Sequence, residues 1–98
     1  MANVLAFAET RSGALRKVGL ETVTAARALA DATGGEVHAL IVGPPGVGTA
    51  AERLGQHGAD VVLVCEHPGF APDNPEAAAA VVADRLASGY RAALFAAT

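Results

Sequence analysis

The sequence predicts a parallel α/β fold of the order βαβαβαβ, on three observations. Short apolar runs recur along the chain, the first three are each followed by a loop or turn and a helix-like segment, and glycines close those segments before the next run begins. The connections are long enough for crossovers between parallel strands.

Val4 to Ala8 is a continuous apolar run, as expected of a strand covered on both faces. It ends at Glu9-Thr10-Arg11-Ser12-Gly13, which reads as a polar, solvated loop. An amphipathic helix follows, about Ala14 to Ala32: Leu15, Val18, Val23, Ala26, Leu29 and Ala30 recur at helical spacing, with Lys17, Glu21, Thr24 and Asp31 on another face. Gly34-Gly35 stops it, because glycine readily takes the left-handed cap conformation.

Val37 to Val42 is the second strand, broken by Gly43-Pro44-Pro45-Gly46. A short helix, about Gly48 to His57, stops at Gly58. Val61 to Cys65 is the third strand, followed by a loop from Glu66 to Asp73. Asn74-Pro75-Glu76 has the form of a helix start: a capping side chain, a proline in the first turn and an acid at the positive end of the helix dipole. That helix runs to about Ala87, with Val81, Val82 and Leu86 as its larger core candidates. Gly89 ends it, and Ala92 to Ala97 is the fourth strand. No helix follows to cover the sheet there. The expectation is therefore a sheet truncated in mid-domain, or one that needs a partner over its apolar surface.

Bulk properties exclude several classes. At 98 residues, 52% hydrophobic and 17% charged, the chain has one domain's worth of core and is not a disordered composition. The net charge is −3 and the seven basic residues are scattered, which argues against a phosphate-neutralising surface. Aromatics are limited to Phe7, Phe70, Tyr90 and Phe95, so no base-stacking platform is evident. The single cysteine, Cys65, excludes an internal disulfide and suits a reducing cytosol. No run approaches the ~20 apolar residues of a membrane span, and the first residues lack the pattern of a signal peptide. The richness in alanine suits a GC-rich genome, and the location expected is the cytoplasm of a bacterium.

Three local features have the outline of a site. Gly43-Pro44-Pro45-Gly46-Val47-Gly48-Thr49 follows a strand and opens a helix, as a phosphate-binding P-loop does. The lysine that reaches the phosphates is missing, Thr49 follows Gly48 directly, and the strands Val61–Cys65 and Ala92–Ala97 carry no Walker B aspartate, so this is a structural turn. The Glu9 to Gly13 loop lies at a carboxyl strand end, where open α/β sheets bind ligands, but it has no Gly-x-Gly-x-x-Gly fingerprint. Cys65, Glu66 and His67 could begin a metal site, yet no second cluster completes a coordination shell, and His38 and His57 stand alone. The expectation is a buried thiol, with no base to make it a nucleophile, and surface imidazoles. No catalytic, cofactor-binding or metal residue is assigned.

The order of the motifs carries more than any one of them. Asn3-Val4-Leu5-Ala6-Phe7-Ala8-Glu9, then Gly13-Ala14-Leu15-Arg16-Lys17-Val18, resembles the opening of electron transfer flavoprotein alpha subunits, where a first strand ends in Ala-Glu and a polar loop leads into a Gly-x-Leu-x-x-Val helix start. Glu21, Ala25-Ala26-Arg27, Leu29-Ala30 and Gly34-Gly35-Glu36-Val37-His38-Ala39-Leu40 continue the likeness in order. Gly58-Ala59-Asp60-Val61-Val62-Leu63-Val64 is similar to the family's third-strand entry, Asn74-Pro75-Glu76-Ala77 to its next helix start, and Leu94-Phe95-Ala96-Ala97-Thr98 to its fourth strand.

The resemblance implies a Rossmann-like (adenine nucleotide alpha hydrolase-like) domain that packs against a beta subunit. It further implies a heterodimer that takes electrons from dehydrogenases and passes them to an acceptor oxidoreductase. The family's FAD is held mainly by the C-terminal domain of the alpha subunit, so residues 1–98 are expected to form the N-terminal portion, without the flavin-binding domain and without a cofactor of their own. Pro44-Pro45-Gly46 departs from the family's usual loop. Self-association is expected where nothing replaces the rest of the sheet. Two rival readings stand beside it: a stand-alone adenine-nucleotide-binding domain of universal-stress-like architecture, with ATP or AMP near Glu9–Gly13 and the end of the last strand, and a degenerate P-loop enzyme.

Overall fold

A computed structural model describes residues 2–70 and 74–96. Four strands form one parallel sheet in the order β5-β4-β1-β6: β1 (Val4–Phe7), β4 (Val37–Gly43), β5 (Val61–Glu66) and β6 (Ala92–Leu94). A second, two-stranded antiparallel sheet, β2 (Thr10–Arg11) and β3 (Ala14–Leu15), stands beyond the end of β1. Among the described residues three α-helices accompany the sheets: α1 (Lys17–Thr33), α2 (Ala51–Gln56) and α3 (Pro75–Leu86).

The pleat divides the sheet residues between two cores. Val4, Ala6, Val37, Ala39 and Ile41 point to one face, where Leu20, Val23, Ala26 and Ala30 of α1 and Leu54 of α2 cover them. Leu5, Leu40 and Val42 point to the other, under Val82 of α3 and Phe70. The pairing Val4↔Val37, Ala6↔Ala39 and Val4↔Ala92 keeps like faces together across strands. Covering on both faces is why β1 and β4 are continuous apolar runs.

Strand order also identifies a switch point. From β1 the chain steps outward to β4 and β5, then returns through α3 to β6 on the other side of β1. Crevices at the carboxyl ends of strands beside such a reversal are where open α/β sheets take ligands.

Most expected elements are present, with informative shifts at the boundaries. The polar loop at Glu9–Gly13 is in fact the first half of a hairpin, and the helix expected from Ala14 begins at Lys17 because Ala14 and Leu15 are used as β3. Ser12 and Gly13 have φ of 52° and 78°, the double left-handed turn that suits a two-residue hairpin. Leu20 and Thr22 join the buried face of α1, whereas Leu29 is exposed. Gly34, with φ 77°, caps the helix and donates to the Ala30 carbonyl. The second helix starts as a 3₁₀ turn, Val47–Ala50, before α2. On α3, Asn74 caps as expected, its side chain accepting from Ala77 N at 3.1 Å, but only Val82 of the three larger candidates is fully buried and Leu86 is exposed. The expected fourth strand extends to Ala97, which lies with Thr98 outside the described residues; β6 itself covers Ala92–Leu94.

Candidate functional site

A cleft of about 620 Å³ opens at the carboxyl ends of β1 and β4, between α3 and the β2–β3 hairpin. Phe7, Val42, Phe70, Val82, Leu86 and Phe95 give it apolar walls. Ala78, Ala79 and Ala83 on α3 keep it open, since larger side chains there would occupy the space. Phe7 and Phe95 face each other with ring centroids 6.0 Å apart and planes tilted by 41°. Phe95 is half exposed, which is unusual for a phenylalanine and places apolar surface at the rim.

The hairpin supplies the polar mouth. Thr10 Oγ1 donates to the Val42 carbonyl at 2.8 Å and ties β2 to the end of β4. Arg16 Nη1 donates to Glu9 Oε2 at 2.9 Å, and the Arg16 amide to the Glu9 carbonyl at 3.0 Å. Gly19 lets α1 approach this corner closely, since a Cβ there would stand 3.0 Å from the Glu9 amide nitrogen. Arg11 also lines the mouth, and among the described residues no carboxylate pairs with it.

The other features separate from this cleft. Glu66, read from sequence as part of a possible metal trio, turns its carboxylate into the Gly43–Thr49 turn: Oε2 accepts from Gly46 N at 3.0 Å and Gly48 N at 2.8 Å. The amides that would cradle a phosphate in a P-loop therefore serve the chain's own carboxylate. His67 Nδ1 accepts from Gly69 N at 2.9 Å, and Cys65 is half buried against the α3-side core, so the three do not converge. The expectation of a buried thiol is corrected accordingly: edge strand β5 leaves Cys65 partly open. Among the described residues no group of three metal-ligating side chains gathers.

His38 also departs from the surface imidazole expected of it. It lies on the α3 face of β4, its side chain only 12% exposed, with Nδ1 2.9 Å from the Tyr90 hydroxyl and Nε2 3.2 Å from Glu36 Oε1. Arg85 Nε donates to the same hydroxyl at 2.8 Å, so Tyr90 bridges Arg85 and His38. His57 is exposed, with Nδ1 against the Arg53 carbonyl.

A further cluster secures the amino end of the sheet. Asp60 Oδ2 accepts from Val37 N at 2.8 Å and Arg27 Nη1 at 2.7 Å, and Arg27 also pairs with Asp31. The Val37 amide, then the Arg27 guanidinium, holds the Asp60 carboxyl below its ordinary range; Asp60 and then Asp31 raise Arg27 above its own. This lies at the opposite end of the strands from the cleft and is a clasp between α1, β4 and β5.

Known proteins give the family. Residues 4–98 match the family described as electron transfer flavoprotein domain. The chain belongs to that family. It is 38% identical over 81 residues to the electron transfer flavoprotein subunit alpha of Megasphaera elsdenii, 37% over 81 residues to protein FixB of Clostridium saccharobutylicum, and 34% over 82 residues to the acryloyl-CoA reductase electron transfer subunit beta of Anaerotignum propionicum. Those alignments cover 83–84% of this chain but only 22–24% of each relative, so the chain spans about a quarter of their length.

The FAD implied by the electron transfer flavoprotein resemblance would bring a pyrophosphate, and two sets of anion donors among the described residues are already engaged. The amides of Gly46 and Gly48 are committed to Glu66, and Arg16 is committed to Glu9. Among the described residues, no helix is long and apolar enough to cross a membrane.

Sequence reasoning placed a candidate ligand site near Glu9–Gly13 and the end of the last strand, where Glu9, Thr10, Arg11 and Phe95 line the cleft, but missed the hairpin and the α3 wall. The signal available was Ser12-Gly13, a turn dipeptide flanked by two residues on each side that could pair.

Proposed function

We propose that this chain is the N-terminal scaffold and subunit-docking part of an electron transfer flavoprotein alpha subunit. The observation that carries this reading is the family match over residues 4–98, combined with 38% identity to a relative named as subunit alpha. The relatives' printed names include both alpha and beta subunits, and the motif order from Asn3 to Gly43 favours alpha.

In this reading the chain does no chemistry of its own and is not an enzyme. It packs against the beta subunit and helps to place a flavin domain that lies elsewhere, so that the complete carrier moves electrons from dehydrogenases to an acceptor oxidoreductase. Exposed Leu86 and Phe95, beside the open edge of β6, provide apolar contact surface. The family match does not favour the universal-stress-like alternative, and the Glu66 carboxylate in the Gly43–Thr49 turn speaks against the degenerate P-loop enzyme.

Gel filtration of the chain with excess FAD, followed by the visible absorbance of the protein peak, tests the division of labour. The reading predicts a colourless protein peak and free flavin eluting later. Stoichiometric flavin travelling with the chain would contradict it.

A further inference from the structure

We infer that the cleft beside α3 binds an amphipathic monoanion, a small carboxylate with an apolar body. This goes beyond the docking role, with which it shares Leu86 and Phe95. The volume, about 620 Å³, lies within the range of small-molecule sites, and the site stands at the carboxyl ends of the strands next to the reversal of strand order.

The walls specify the body of the ligand. Phe7, Val42, Phe70 and Val82 form an apolar interior, and alanines at positions 79 and 83 leave its length unfilled. Phe95 at the rim, half in solvent, would be covered by a ligand that enters there.

Charge specifies the head. Among the described residues, Arg11, Arg16 and the Glu9 carboxylate line the mouth, and the 2.9 Å contact pairs Glu9 with Arg16. Among the described residues no carboxylate pairs with Arg11, whose planar donors suit a carboxylate. A nucleotide polyphosphate would need more charge and a set of free backbone amides, and the Gly46 and Gly48 amides are taken by Glu66. A neutral apolar molecule would make no use of Arg11.

Octanoate is the probe, titrated into the isotopically labelled chain and followed by amide chemical shifts, with octan-1-ol and AMP as comparators. The inference predicts one saturable octanoate site, with shifts concentrated at Glu9–Arg11, Ala79–Leu86 and Phe95. Arg11→Ala should weaken octanoate at least about tenfold, the scale of a lost charge-assisted hydrogen bond, and leave octan-1-ol unchanged. Ala83→Leu, at an exposed helix position where leucine is a good helix former, should abolish both. The inference is overturned by absence of saturation, by octanoate affinity indifferent to Arg11→Ala, or by AMP binding there more tightly than octanoate.

Discussion

Glu66 Oε2 lies 2.8 Å from the Gly48 amide nitrogen, and the same oxygen lies 3.0 Å from that of Gly46. The last residue of β5 thereby fixes the turn after β4. Gly46 has φ 102°, a conformation that glycine adopts without strain, and a Cβ on Gly48 would stand 3.0 Å from that carboxylate oxygen. A turn shaped to present amides to an anion holds one supplied by the chain.

Glu66→Ala should destabilise the chain by about 1 kcal/mol, since two charge-assisted hydrogen bonds at an exposed site are replaced by water. Glu66→Gln, which keeps a neutral acceptor, should lose less. Urea unfolding at neutral pH measures both, and equal stability of the parent and the alanine variant would contradict the role assigned to the carboxylate.

The Asp60 clasp gives a pH dependence. A carboxyl whose pKa is depressed on folding adds stability that is fully present above its unfolded value of about 3.9 and is lost as pH falls through its folded value. Asp60→Asn should therefore melt below the parent at pH 7, and the gap should narrow as pH drops below about 4. The side chain is partly exposed, so solvent screening keeps the effect modest. A gap that stays constant from pH 7 to pH 3 would contradict this account.

Gly58 makes a sterically defined prediction. Its φ is 123°, and a Cβ there would stand 2.9 Å from the Arg27 Cβ. Gly58→Ala should cost about 1–3 kcal/mol through backbone strain and displacement of Arg27 from Asp60. Thermal unfolding of the single variant and of Gly58→Ala combined with Arg27→Ala separates the two: a smaller penalty in the Arg27→Ala background shows the coupling.

Leu54 is fully buried between α2 and the sheet although α2 has only six residues. Leu54→Ala should cost about 2–5 kcal/mol in urea unfolding, as large-to-small changes in a packed core do. A loss under 1 kcal/mol would mean that α2 contributes little to the core.

The legibility of this fold follows from where its information is local. Strands β1 and β4 announced themselves because both faces are covered, and Asn74-Pro75-Glu76 announced α3 because capping chemistry is sequential. The hairpin did not, because Thr10-Arg11 and Ala14-Leu15 are too short for a periodic signal and their pairing depends on one two-residue turn. Glu66 meets Gly48 across 18 positions, and His38 meets Tyr90 across 52, so neither contact has a signature along the chain. The cleft was legible only at Glu9–Gly13 and the end of the last strand. It gathers Phe7, Arg11, Val42, Ala83 and Phe95, which only the strand order brings together.

The central claim is docking to the second subunit of an electron transfer flavoprotein. Size-exclusion chromatography of the folded chain, mixed with the beta subunit from the same organism, tests it most directly. The account predicts a single earlier peak containing both chains in equal amounts. Separate elution of the two, with the chain shown by circular dichroism to be folded, would contradict it.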